Sequence, residues 1–207
     1  MARRTKQAAQ ATRDHILDTA ERVFQRRGVS RTTLGEIAQQ AGLTRGAIYW
    51  HFEDKAALFD AMVERVTLPM EQSLAGSVNT SATEPLAPLR ASLAAALRRM
   101  VDDPQVRRVF EIVTHKVEYI DELPLLRSRH IDGRERCLRD IERILRQARA
   151  AGLLAPKLHL KRAAVGLHAL VDGLIQNWML DPGAFDLAAT GRQAMDAYLA
   201  GLASPGV

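Results

Sequence analysis

Apolar positions in this chain recur at helical spacing and nowhere sustain the alternation of a strand, so the pattern predicts helices throughout and an all-α fold. The first clear stripe is Ile16, Leu17, Ala20, Val23 and Phe24, with Thr12 as the expected N-cap, Gly28 as the stop and a basic arm, Arg3, Arg4 and Lys6, ahead of it. Residues 33–52 read as two short helices joined at a glycine. Thr33 and Glu36 have capping-box spacing, Leu34, Ile37, Ala38 and Ala41 share a face, and Gly42 permits a sharp reversal with Leu43 tucked beneath it. Thr44 then caps a helix that turns Ala47, Ile48 and Phe52 inward. This is the pattern of a helix-turn-helix. Asp54 caps a further helix through Leu58, Phe59, Met62, Val63 and Val66, continuing past a kink at Pro69. A Gly/Ser/Asn/Thr/Pro loop covers 76–85, and helical patterns follow at 86–101, 104–120, 125–151, 158–180 and 186–202. The expected division is a three-helix helix-turn-helix domain, residues 1–55, and a second helical domain, residues 56–207.

The residues left pointing outward from the second helix of the pair suit DNA. A recognition helix enters the major groove with its N-terminal residues at base edges, which places Arg45 for guanine O6 and N7 and lets the backbone approach at Gly46. Tyr49 and His51 are candidates for phosphate, which positions a helix without reading sequence. Thr33, Thr44 and Trp50 complete the candidate DNA-binding set, with Lys55 as a further phosphate contact and Arg13 as a weaker one. Two readings stand for several of these. Tyr49 and Trp50 either face DNA or complete a small core, and Lys55 either meets phosphate or is a solvated surface lysine.

Charge bears on the N-terminal part as a whole: alone it leaves a basic solvated face as the alternative, and together with the helix-turn-helix it points to a polyanion. Residues 1–55 hold 10 Lys/Arg against 6 Asp/Glu, a net +4, so nearly all of the chain's +5 lies in its first quarter. A basic segment beside a near-neutral remainder fits a polyanion at the N-terminal part only. With 47% hydrophobic residues, 207 residues suffice for a proper core. A single cysteine, Cys137, excludes an internal disulfide framework and fits a reducing compartment. No apolar run follows the basic start as a signal peptide requires, and the most apolar stretch, 163–179, is interrupted by His168, Asp172, Gln176 and Asn177. The expectation is a cytoplasmic protein without a membrane partner.

Three C-terminal helices carry the candidate ligand chemistry. The 104–120 segment has the stripe Val106, Val109, Phe110, Val113 and Val117 with Thr114 at its edge. The 125–151 segment has Cys137, Leu138, Ile141, Ile144, Leu145 and Ala148, with arginines opposite. The 158–180 segment is apolar nearly all round, yet His168, Asp172 and Gln176 recur every fourth residue and share a face. A carboxylate there either faces water or lines a cavity, because burial without a partner is unfavourable. A mostly apolar pocket with a few convergent polar groups is the usual small-molecule site. The candidate wall is Val66, Leu93, Phe110, Val113, Thr114, Cys137, Ile141, Val171 and Ile175, with His168, Asp172 and Gln176 as the polar groups. The competing reading is plain core. Leu187, Gly191, Ala194, Met195, Tyr198, Leu199 and Leu202 form a broad stripe, and with small residues Ala164, Gly166 and Gly173 they are expected to build a two-fold homodimer interface.

Gly42-Leu43-Thr44, Gly46, Tyr49, His51-Phe52, Lys55 and Leu58 resemble the signature of the TetR family of transcriptional repressors. The opening MARRTKQAAQATRDHILDTAERVF and the run TRGAIYWHF further resemble its AcrR-like branch, repressors of multidrug efflux operons, and VDGLI (171–175) is similar to drug-responsive members. The resemblance implies a homodimer that binds a roughly palindromic double-stranded DNA operator and is released by a small hydrophobic or amphipathic ligand. It implies no cofactor. On the 104–120 helix, where the branch would place polar ligand-orienting residues, Phe110 and Thr114 stand instead. A regulator of another operon, in lipid or secondary metabolism, and a DNA binder without a ligand are the alternatives. An enzyme is disfavoured: the chain has no phosphate loop, no G-x-S-x-G elbow, no H-E-x-x-H and no paired-cysteine metal spacing.

Overall fold

The computed structural model describes residues 2–77, 84–117 and 124–203. Among the described residues the chain forms nine helices and no strand: α1 Ala2–Arg27, α2 Leu34–Gln40, α3 Arg45–His51, α4 Lys55–Ser77, α5 Leu86–Asp102, α6 Pro104–His115, α7 Pro124–Ala150, α8 Leu160–Leu180 and α9 Leu187–Gly201. Packing divides the chain into two compact units. One gathers Met1–Val66 with Arg108–His130, the other Thr67–Arg107 with Ile131–Val207. The 1–55 segment thus packs together with 56–66 and 108–130, and α4 and α6 each contribute to both units.

In the first unit, Ile16, Leu17, Ala20, Val23 and Phe24 of α1 are buried with Ile37 of α2, Ile48 of α3 and Leu58 and Met62 of α4. Phe24 and Phe59 tilt against each other at 6.2 Å. Helices of seven residues are too short to persist alone in water, so α2 and α3 exist because this core receives them. Burying Ile48 and Phe52 stabilises the docked α3 by about 1.5 to 3 kcal/mol each. The turn between them has the Schellman form: Leu43 N–H donates to Ala38 O at 2.9 Å and Gly42 N–H to Gln39 O at 3.1 Å. Gly42 has φ +67°, the left-handed backbone the reversal needs.

In the second unit, Leu89, Leu97 and Met100 of α5, Ile141, Ile144, Leu145 and Ala148 of α7, Leu160 and Leu167 of α8, and Leu187, Met195 and Leu199 of α9 form the core. A Cβ on Gly191 would collide with the Leu97 side chain, so glycine sets how closely α9 lies on α5. Tyr198 lies across Gly166 and donates to Ala163 O at 2.9 Å, tying α9 to α8.

Several expectations are corrected. Thr12 is not an N-cap, because α1 begins at Ala2 and the Thr12 hydroxyl donates back to Ala8 O at 3.0 Å inside the helix. The expected continuation of α4 past Pro69 is observed, with the helix running on to Ser77. α6 stops at His115, short of the expected 120, and its buried face is Val106, Val109 and Ile112, with Phe110 and Val113 half-buried beside it. Of the α9 stripe expected at an interface between copies, Leu187, Gly191, Met195 and Leu199 are buried within the chain against its own helices, and Ala194, Tyr198 and Leu202 are half-buried. Residues 78–83 of the expected 76–85 loop and 118–120 of the expected 104–120 helix lie outside the described residues.

Candidate nucleic-acid interface and ligand-binding positions

The reading pair is fastened at its caps. Glu36 N–H donates to Thr33 Oγ1 at 3.2 Å, Thr33 N–H donates to Glu36 Oε2 at 2.8 Å, and the Thr33 hydroxyl donates to the same carboxylate at 3.0 Å. The Thr33 amide, then its hydroxyl, and Arg27 beside it at 2.7 Å hold the Glu36 carboxyl below its ordinary pKa. Thr33, a candidate for DNA, therefore has its hydroxyl engaged in the cap. Thr44 accepts from Ala47 N–H at 3.2 Å and starts α3. His15 Nε2 lies 3.0 Å from Ala41 O, joining α1 to the turn after α2.

With Ile48 and Phe52 facing the core, helical periodicity turns Arg45, Gly46, Tyr49 and Trp50 to solvent and leaves Ala47 and His51 half-buried. Thr44, Arg45 and Gly46 are exposed, Tyr49 is 45% exposed and Trp50 72%. Arg45 lies over the Tyr49 ring, 5.6 Å from its centroid, and Trp50 meets His51 edge-on at 4.6 Å. Trp50 is not a core residue. Burial pushes the His51 imidazole below its ordinary pKa, and the Arg13 charge acts the same way. Arg13 itself stacks over Phe52 at 5.1 Å. Lys55 is not a solvated lysine: its ammonium donates to Val29 O and Ser30 O, both at 2.9 Å, and holds the loop before α2 against the start of α4.

The ligand candidates fall in both units. Val66, Phe110, Val113 and Thr114 belong to the first, and Leu93, Cys137, Ile141, His168, Val171, Asp172, Ile175 and Gln176 to the second. Val66, Leu93, Ile141, Val171 and Ile175 are buried, and the others are half-buried. On α8, His168, Asp172 and Gln176 share the expected face, and Gln176 Nε2 donates to Asp172 Oδ2 at 2.6 Å. Asp172 thus has a neutral donor as partner. Burial, reinforced by Asp140 and Glu71, pushes the Cys137 thiol up to about 11, an inert thiol rather than a nucleophile. Among the described residues no group of His, Cys, Asp or Glu is gathered to hold a metal ion, and no helix is long and apolar enough to cross a membrane.

Sequence reasoning passed over Glu21, which is 1% exposed on α1 and ion-paired with Arg65 of α4 and with Arg108 at 3.7 Å. Its signal was present. Glu21 stands four residues after Leu17 and three before Phe24, inside the apolar stripe, where a carboxylate needs partners.

A capped helix-turn-helix that presents an exposed, cation-bearing second helix defines a DNA-binding regulator. The profile "Bacterial regulatory proteins, tetR family" matches residues 16–62, and "MAATS-type transcriptional repressor, C-terminal region" matches residues 84–203. The regulator TtgR of Pseudomonas putida is 41% identical over 187 residues, covering 90% of this chain and 89% of its own length. The structure of SmeT in complex with triclosan has a TM-score of 0.86 at 37% identity over 95% of this chain and 93% of its own. SmeT is the repressor of the Stenotrophomonas maltophilia multidrug efflux pump SmeDEF. NalD, the secondary repressor of the MexAB-OprM pump in Pseudomonas aeruginosa, has a TM-score of 0.86 at 32% identity over 97% of this chain and all of its own. The chain belongs to the TetR family of bacterial transcriptional repressors, in company with multidrug efflux regulators.

Proposed function

We propose that this protein is a homodimeric repressor that sits on a palindromic operator of a multidrug efflux operon in the cytoplasm and is released by a small hydrophobic ligand. The observation that carries the reading is the pairing, in one chain, of the exposed Arg45–Trp50 reading surface with a C-terminal region matched along its length by efflux repressors, one of them solved with triclosan. Two-fold symmetry would set two α3 helices one DNA turn or more apart, which requires matching half-sites. A ligand acts by binding more tightly to the form whose reading helices are wrongly spaced, and only that differential affinity shifts the equilibrium. Thr44, Arg45, Gly46, Tyr49, Trp50 and His51 supply base and phosphate contacts. The half-buried Asp172–Gln176 pair orients the ligand's polar end.

The test is a fluorescence-anisotropy titration on DNA from just upstream of the gene, at two salt concentrations, with and without triclosan. Saturable, sequence-selective binding that weakens with salt, as several phosphate contacts require, and that triclosan reverses is the expected result. Absence of selective binding to every upstream fragment would defeat the reading. Asp172→Asn is expected to leave operator affinity unchanged and to shift the triclosan concentration needed for release, measured in the same titration.

A further inference from the structure

We infer that Lys55 is a positioning residue of the DNA reader, a clasp across the base of the helix pair, and not one of its phosphate contacts. Its ammonium donates to Val29 O and Ser30 O, both at 2.9 Å, across 26 and 25 positions of chain. Those bounds enclose the whole reading pair. Thr33, the cap of α2, follows Ser30 by three residues, and Phe52, the C-cap of α3, precedes Lys55 by three. One side chain therefore ties the segment entering α2 to the segment leaving α3. Apolar burial seats each helix on the core but is non-directional, so the aim of the pair depends on what fixes its two ends.

A lysine is an unfavourable choice for this place unless it is held. Lys55 is the first residue of α4, and the helix dipole opposes a cation at an N-terminus. Nor is it needed as a cap, because Asp54 Oδ1 already accepts from Ala57 N–H at 2.7 Å. The two carbonyls offset the dipole, since hydrogen bonds from a charged donor are the strong ones. Their own positions are fixed in turn. Gly28 takes φ +81°, the Thr32 hydroxyl donates to Gly28 O at 2.8 Å and Thr32 N–H to Val29 O at 3.3 Å, and the Val29 and Thr32 side chains are fully buried. The ammonium thus meets a pre-set pair of acceptors on the segment that leads into the capping box of α2. To reach a phosphate it would have to surrender both bonds and release that segment.

The inference rests on the DNA-reading part of the proposed function, and its first test needs no DNA. Acetylation of the unaltered protein with an N-hydroxysuccinimide ester, read residue by residue by mass spectrometry, is expected to modify Lys55 about tenfold or more slowly than the exposed Lys157 and Lys161. A Lys55 rate equal to theirs that falls only when operator is added would mark a phosphate contact and overturn the inference. The second test is Lys55→Met, which keeps the stem and deletes the donor. Per folded molecule, its preference for operator over a scrambled duplex is expected to fall about fivefold or more, because a tilted pair misaligns Arg45 with its base. The salt dependence of binding to the scrambled duplex should stay as in the unaltered protein. A phosphate contact would instead lower that slope by about 0.9 and weaken both duplexes alike. A lysine that only stabilises the fold would lower Tm and leave the preference intact, and either result overturns the inference. Should Lys55→Met fail to fold, acetylation of the unaltered protein, free and operator-bound, decides. Rapid acetylation with selective DNA binding defeats the clasp alone, whereas slow acetylation with no selective binding defeats the repressor reading and with it any role of Lys55 in a reader.

Discussion

Arg45 stands one residue past the Thr44 cap, exposed, with its guanidinium steadied on the Tyr49 face. A side chain held there loses less rotamer freedom on meeting a base, and its planar fork fits guanine. Arg45→Ala is expected to relax preference at one base position and to weaken operator binding by about 1 to 3 kcal/mol, read from titrations on single-base operator variants. Equal weakening on every sequence would instead make Arg45 a phosphate contact. Cys137 illustrates the opposite case, a reactive residue type made inert by its surroundings. With its pKa pushed up to about 11, little thiolate exists near neutrality. Alkylation by iodoacetamide at pH 8 should run more than about tenfold slower than in the urea-unfolded chain, and should accelerate as pH rises toward 11.

At the scale of elements, short helices depend on what receives them and long ones on what they carry. The seven residues of α3 are positioned by two caps and two buried side chains, which is why so small a helix can hold a reading surface in place. α9 depends on close approach. Gly191→Val would force its side chain into Leu97 and is expected to destabilise the fold by about 1 to 3 kcal/mol, seen as a lowered Tm. Operator affinity per folded molecule should hold, because α9 contributes nothing to the reading surface. A Tm unchanged by this substitution would mean that α9 can shift along α5 without loss.

At the scale of the whole molecule, α9 packs on α5 and α8, and α8 keeps large apolar side chains exposed on another side. Val165 is 45% exposed and Leu180 75%, with Ala169 exposed between them. Large exposed apolar groups on one helix suit a symmetric partner. The double variant Val165→Glu with Leu180→Glu is expected to shift the protein toward monomer in light scattering. Operator affinity would fall because one half-site alone is a weak target. A dimer indifferent to both charges would place the interface elsewhere.

The sequence by itself determined the all-α class, the capping box at Thr33 and Glu36, the turn at Gly42 and the division of α3 into inward and outward residues. It did so because these rest on local spacing, caps and backbone freedom, all of which act within a few residues. The shared face of His168, Asp172 and Gln176 was legible for the same reason. Tertiary structure decided which apolar residues meet inside the chain: α9 has the pattern of an interface, and only its neighbours α5 and α8 reveal that Leu187, Gly191, Met195 and Leu199 are taken up within the chain. It likewise decided the partners of charged residues. Glu21 with Arg65 and Arg108, and Lys55 with two loop carbonyls, are separated by tens of residues, and no periodicity along one helix encodes what lies across from it.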